Sequence, residues 1–258
     1  MKKKLYDVLI ERKQKGLKSF AVLIDPDKIK DWTACAKLIN MSVENKVDFF
    51  FVGGSLLTNL HLNKVVTLIK SNSHIPVVLF PGSNMHINTA ADAILFLSLL
   101  SGRNADLLIG QHVVAAPILK KSGLEVLPTG YILIDGGNLS TVSYMSNTFP
   151  IPADKYSVAT CTAMAGEMLG LKLIYMDAGS GAANPISPKM IASVRKAVDT
   201  PLIIGGGINT IEKAMSAIGA GADLIVVGNA IEKNPSLLID ISAKIGELNG
   251  QLLKNSIY

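Results

Sequence analysis

Short apolar runs alternate with amphipathic stretches along almost the whole chain. Runs rich in Val, Ile, Leu and Phe predict strands over 20–25, 49–53, 77–80, 94–99, 124–134, 173–177, 202–204 and 224–227. Between them, apolar residues at helical spacing predict helices over 29–44, 58–70, 105–121, 156–170, 188–198, 210–219 and 235–248. Asp27 is placed to cap the first of these helices, and Pro81-Gly82 stops the third strand. The strands are continuous apolar runs, which suits a parallel sheet buried on both faces. The alternation falters twice. The stretch 83–92 is too short for a full helix, and 136–155, rich in Gly, Ser, Asn and Pro, reads as a long loop of the kind that forms lids. The pattern predicts an α/β fold: one modified TIM (β/α)8 barrel over residues 1–258, with one outer helix replaced by irregular or extended structure.

Composition sharpens this picture. The chain has 258 residues, near the typical length of one such barrel, and is 49% apolar but only 5% aromatic. Net charge is +5, and Lys2, Lys3, Lys4, Arg12, Lys13, Lys15 and Lys18 concentrate positive charge at the N-terminus. No basic stripe interleaved with aromatics follows, so nucleic acid is not an expected partner. The basic N-terminal segment reads as a solvated helix face, with transient contact at an anionic membrane surface as the alternative. No apolar leader is present and the stretch 93–100 is too short to cross a bilayer, which predicts a cytoplasmic protein. Cys35 and Cys161 lack metal-ligand spacing, and so do His61, His74, His86 and His112.

The chemistry concentrates where strands end in glycine. PLIIGGGI (201–208) and DLIVVGNAI (223–231) each run from β-branched residues through glycine into a helix start. Such turns aim backbone N–H groups at one point and bind phosphate without a cationic side chain. Two in succession match the phosphate site after strands 7 and 8 of a barrel, so Gly206, Gly207, Gly228 and Asn229 are phosphate candidates. Other polar residues end strands too. Asp25 could hold a divalent cation or simply stop its strand in an Asp-Pro turn. Ser55, after Gly53-Gly54, could add a hydroxyl to such a site or belong to a flexible turn. Asp177, in YMDAGSG, could serve as a general base or cap the glycine turn that follows.

The ordered set IDPDK, FFFVGGS, VVLFPGS, ILFLSLLSGRN, IGQHV, GYILIDGG, YMDAGSG, IIGGGI and VVGNAI resembles the geranylgeranylglyceryl phosphate synthase family, in particular its second subgroup, which includes bacterial members. The resemblance runs over nearly the whole chain. It implies a prenyltransferase of ether phospholipid biosynthesis. Such an enzyme joins the 3-hydroxyl of sn-glycerol 1-phosphate to geranylgeranyl diphosphate, or a related polyprenyl diphosphate, and releases diphosphate. It implies Mg²⁺ on Asp25 and Ser55, and glycerol phosphate along Tyr175, Met176, Asp177, Ala178, Gly179, Ser180 and Gly181 and on Gly206, Gly207, Gly228 and Asn229. It also implies Asp177 as the catalytic base and a homo-oligomer, either a dimer or an assembly of dimers. Phe80, Phe96 and Leu97 are candidates for the wall of a prenyl groove. Two departures stand out. Many relatives carry Glu where this chain has Asp177. The first subgroup has a lysine where this chain has Leu23, which predicts a phosphate held by backbone groups alone. The alternative reading is another phosphate-binding barrel, such as a sugar-phosphate isomerase or a thiamin phosphate synthase-like enzyme, which would need no apolar groove.

Overall fold

Eight parallel strands close on themselves in chain order. They are β1 (Ser19–Ile24), β2 (Phe49–Gly54), β3 (Val77–Pro81), β4 (Ala93–Leu99), β5 (Glu125–Leu133), β6 (Leu173–Asp177), β7 (Leu202–Gly205) and β8 (Leu224–Val227), with β8 pairing back onto β1. The computed structural model describes residues 3–255.

Strand periodicity divides the apolar residues between two cores. Phe20, Val22, Phe50, Leu79, Ile94, Ile132, Ile174, Met176, Ile204 and Ile225 face outward and pack against the helices. Ala21, Phe49, Phe51, Val78, Leu95, Leu127, Tyr131, Leu173, Tyr175, Ile203 and Val226 face inward and fill the barrel. The same parity decides where the strand-end chemistry points. Asp25 continues the inward row of Ala21 and Leu23, and Asp177 continues that of Leu173 and Tyr175.

The helical layer is α2 (Trp32–Glu44), α3 (His61–Asn72), α4 (Gln111–Ser122), α6 (Tyr156–Met168), α7 (Pro188–Ala197), α8 (Ile211–Gly219) and α10 (Ser236–Asn255). Between β3 and β4 only turns occur, so the expected loss of one outer helix is observed. The loop expected over 136–155 is not structureless: it holds α5 (Thr141–Ser146), whose N-terminus is capped by Ser140. A further short helix, α9 (Asn229–Lys233), follows β8 directly.

Two expectations near the N-terminus change. Asp27 does not cap α2. A 3-10 turn over Pro26–Lys28 intervenes, capped by the Asp25 carboxylate, which accepts from the Asp27 N–H at 3.1 Å. Asp31 caps α2 instead, accepting from the Thr33 N–H. The basic N-terminal segment forms α1 (Leu5–Gln14), and it is not merely a solvated face. Leu5 and Leu9 are buried in the barrel's inner core, so α1 closes the end of the barrel opposite the strand C-termini. Its first N–H groups are held by Glu125 at the start of β5, with Leu5 and Tyr6 donating to that carboxylate at 2.6 and 2.9 Å. Much of the positive charge here is paired internally: Lys3 and Lys15 with Glu11, Arg12 with Asp48, and Lys18 with Asp223. Lys2 lies outside the described residues. Among the described residues, no helix is long and apolar enough to cross a membrane.

Candidate active site

A cavity of about 720 Å³ opens at the C-terminal mouth of the barrel. Its polar end is formed by Asp25, Ser55, Asp177, Ser180 and the glycine turns after β7 and β8. Gly206 and Gly207 both have left-handed backbone (φ +79° and +69°), which turns successive backbone groups toward one side. A β-carbon on Gly206 would stand 2.6 Å from both the Ala178 nitrogen and Asp177 Oδ1. On Gly207 it would meet the Asn184 carbonyl at 2.7 Å. These glycines are thus required first by the packing of the β6 and β7 loops. Gly228 is different: it lies outside the left-handed region, and a β-carbon there would press only on Leu23, at 3.2–3.4 Å.

Asp177 sits on the boundary of the inner core. It is 7% exposed, and both of its oxygens are engaged. Oδ2 accepts from the Tyr131 hydroxyl at 2.8 Å and Oδ1 from the Gly179 N–H at 2.8 Å. Burial raises its pKa, and the two donated hydrogen bonds oppose that rise. Beneath it Tyr131 stacks on Tyr175 with centroids 5.5 Å apart, and Phe80 lies 5.1 Å from Tyr175. Gly205 leaves room for the Tyr175 hydroxyl, which a β-carbon there would approach to 2.5 Å. Burial and the Asp177 charge raise the pKa of both tyrosines, so they remain neutral phenols.

Across the mouth, Asp25 Oδ2 forms an ion pair with Lys28 Nζ at 3.1 Å. The Lys28 ammonium also donates to Asn229 Oδ1 at 2.7 Å and Ser180 Oγ at 3.1 Å. Asn229 Nδ2 donates to the same Ser180 oxygen at 3.1 Å. The absence of a lysine at Leu23 therefore does not leave the glycine turns after β6 and β8 without a cation. Lys28 reaches them from the 3-10 turn after β1. Glu232 joins this rim: desolvation of its carboxyl raises its pKa, Lys28 opposes that rise, and the Asp25 charge adds to it. Asp27 ties the turn to the loop after β2, accepting from the Thr58 N–H and hydroxyl at 2.6 and 2.7 Å.

The donors around Asp25 suit Mg²⁺. This hard cation takes one or two carboxylates and fills its remaining positions with water and substrate phosphate oxygens. Gly54 keeps the space beside the Asp25 carboxylate clear, since a β-carbon there would lie 3.3 Å from it. Among the described residues, no group of three or more His, Cys, Asp or Glu could hold a metal unaided. An ion here would take its remaining oxygens from Ser55, water and substrate.

The other end of the cavity is apolar and leaves the barrel sideways. Ile94 and Phe96, on the outer face of β4, form one wall, and Ala115 and Leu119 of α4 form the opposite wall. Phe80, Leu97, Leu107, Val142 and Met145 line the passage between the two ends. His112 of α4 packs edge-on against Phe96 with centroids 4.4 Å apart, and its Nε2 lies 3.3 Å from Ser98 Oγ.

A model of the PcrB family matches residues 9–246. The chain belongs to the PcrB family. A geranylgeranylglyceryl phosphate synthase of Spirosoma linguale is 56% identical over 247 residues, covering 96% of this chain and 99% of that protein. One of Chitinophaga pinensis is 57% identical over 242 residues, covering 94% and 96%. Among solved structures, (S)-3-O-geranylgeranylglyceryl phosphate synthase of Thermoplasma acidophilum, in complex with its substrate sn-glycerol-1-phosphate, superposes with a TM-score of 0.89. It is 31% identical, and the match covers 95% of this chain and all of that one.

In this PcrB-family barrel, Asp25, Ser55, Tyr175, Asp177, Gly179, Ser180, Gly181, Gly206, Gly207, Gly228 and Asn229 share one cavity. Met176 and Ala178 do not line it. They fall on the outward parity of β6, buried against the helices, and the Ala178 N–H is taken by the Gly205 carbonyl at 3.1 Å. Sequence reasoning missed Lys28, Glu232 and Tyr131. Lys28 had a signal, since it lies within the quoted IDPDK motif. Tyr131 could have been found by strand parity, because it pairs in register with Tyr175, two residues before Asp177.

Proposed function

We propose that this PcrB-family protein is a Mg²⁺-dependent prenyltransferase. It forms an ether bond between the 3-hydroxyl of sn-glycerol 1-phosphate and C1 of geranylgeranyl diphosphate or a related polyprenyl diphosphate. The observation that carries this reading is the two-ended cavity. Phosphate-binding turns stand at one end, an apolar arm runs out at the other, and Asp177 lies at the polar end beside the turns. The relatives' names and the glycerol phosphate in the Thermoplasma complex support the same substrates. A sugar-phosphate isomerase would have no use for the arm.

The turns at Gly206–Gly207 and Gly228–Asn229 hold the glycerol phosphate group, which orients its 3-hydroxyl toward Asp177. The apolar arm takes the prenyl tail and excludes water from C1. As the hydroxyl oxygen bonds to C1, the C1–O bond to diphosphate breaks and its electron pair leaves with diphosphate. The hydroxyl proton passes to an Asp177 oxygen, which Tyr131 and Gly179 hold in place. Asp25 and Ser55 would hold Mg²⁺, which neutralises charge on the departing diphosphate. The protein works as a homo-oligomer, a reading supported by exposed Ile109, Val113, Val114 and Ile118 along one side of α4 and the turn before it.

Incubation of the purified protein with sn-glycerol 1-phosphate, Mg²⁺ and a ladder of polyprenyl diphosphates tests the reading. Mass spectrometry should find a product equal to the two substrates less diphosphate, with a preferred tail length. If no member of the ladder gives product, the assignment fails.

A further inference from the structure

Lys28 holds three partners at once, and they belong to two different half-sites. Asp25 is the carboxylate of the proposed cation site, whereas Ser180 and Asn229 stand at the phosphate turns. An ammonium has three donors and no acceptor, so all three are directed at these oxygens. Its side chain is 38% exposed and flexible enough to change partners. A phosphate dianion arriving beside Ser180 and Asn229 offers charged acceptors where Lys28 now has neutral ones. A divalent cation arriving at Asp25 meets a positive charge already paired with its ligand.

We propose that Lys28 is the side-chain ligand of the substrate phosphate, parked on Asp25 in the free protein, so that phosphate binding draws it away and opens Asp25 to the cation. This rests on the glycerol phosphate reading above and adds to it a binding residue and an order of binding. The two ligands are thereby coupled. The Lys28–Asp25 pair opposes the cation until phosphate gives the ammonium a better partner. Coupling is reciprocal, so the cation tightens phosphate binding by the same factor. The cation lost at Leu23 is thus supplied from a turn five residues along.

Two measurements test this on the intact protein. Calorimetry follows sn-glycerol 1-phosphate binding without metal. Electron paramagnetic resonance of free Mn²⁺ follows cation binding with and without sn-glycerol 1-phosphate. In the wild type, glycerol phosphate should tighten Mn²⁺ binding about fivefold or more. Lys28→Met should weaken glycerol phosphate binding roughly tenfold or more, the scale of losing one charge-assisted hydrogen bond. It should also tighten Mn²⁺ binding to the ligand-free protein and bring the coupling close to one. Lys28→Arg, which keeps the charge, should retain phosphate affinity within a few-fold, and unchanged thermal midpoints would rule out a folding defect. Wild-type phosphate affinity in Lys28→Met would overturn the proposal, as would coupling that survives the substitution intact. Wild-type protein that binds no glycerol phosphate would sink the substrate reading as well. Binding that is normal but indifferent to Lys28 would sink only this inference.

Discussion

As the proposed base, Asp177 must be ionised to accept a proton, yet burial raises its pKa above the ordinary value. The acid limb of the pH–kcat profile should therefore lie above the ordinary aspartate range near ~3.9. Tyr131 donates to the carboxylate and so holds that rise in check. Tyr131→Phe removes the donor, and its acid limb should move to still higher pH, with kcat on the alkaline plateau much less affected. Asp177→Asn should cost about 10²–10⁴-fold in kcat with little change in glycerol phosphate affinity. An unshifted limb in Tyr131→Phe would mean that another group titrates there. Stability responds to pH in the opposite sense to activity. The folded pKa is raised, so Asp177 favours folding while protonated, and that contribution fades as pH rises from the ordinary value through the raised one. At this scale the sequence revealed residues at strand ends, because strand parity alone aims Asp25 and Asp177 into the mouth. It concealed Lys28, whose role depends on a long side chain crossing from β1 to the loops after β6 and β8. It also named Met176 and Ala178, whose side chains face the outer core, since a contiguous motif on a strand shows only every second side chain to the barrel mouth.

Elements were legible in kind and misplaced at their ends. The turn after β1 explains one shift: Asp25-Pro26 starts a 3-10 turn, so the helix begins only at Trp32 behind its own cap. The missing helix between β3 and β4 was evident from length alone, because ten residues cannot cross a barrel and form several helical turns. The role of α1 was not evident. Its charges dominate the sequence signal, while only Leu5 and Leu9 carry its packing. Leu9→Ala should destabilise the protein by about 2–5 kcal/mol, the usual cost of emptying a buried leucine site. Chemical denaturation would measure this. A negligible loss would show that α1 is dispensable to the barrel. The glycine turn after β7 was read as a ligand device, yet Gly207 is also demanded by the Asn184 carbonyl. Substitutions there disturb the fold as well as the phosphate site.

On the scale of the whole molecule, the barrel was legible because eight apolar runs and their turns repeat one unit. The proposed assembly was not, because outward residues of α4 look alike in sequence whether they meet solvent or another subunit. If the exposed side of α4 forms the proposed oligomer interface, Ile118→Glu should shift the protein toward monomer in size-exclusion chromatography with light scattering, while the thermal midpoint falls only modestly. An unchanged mass would exclude this face from the interface. The barrel axis is already filled by the rings of Phe51, Phe80, Tyr131 and Tyr175, so the apolar arm leaves sideways between β4 and α4. Head-group chemistry is thus encoded by strand ends scattered around the barrel. In the proposed reaction, room for the tail comes chiefly from the stretch 93–122, with Phe80, Val142 and Met145 lining the passage to it. Substitutions along the arm would change the tail length the proposed enzyme accepts while every residue proposed to handle phosphate and proton stays fixed.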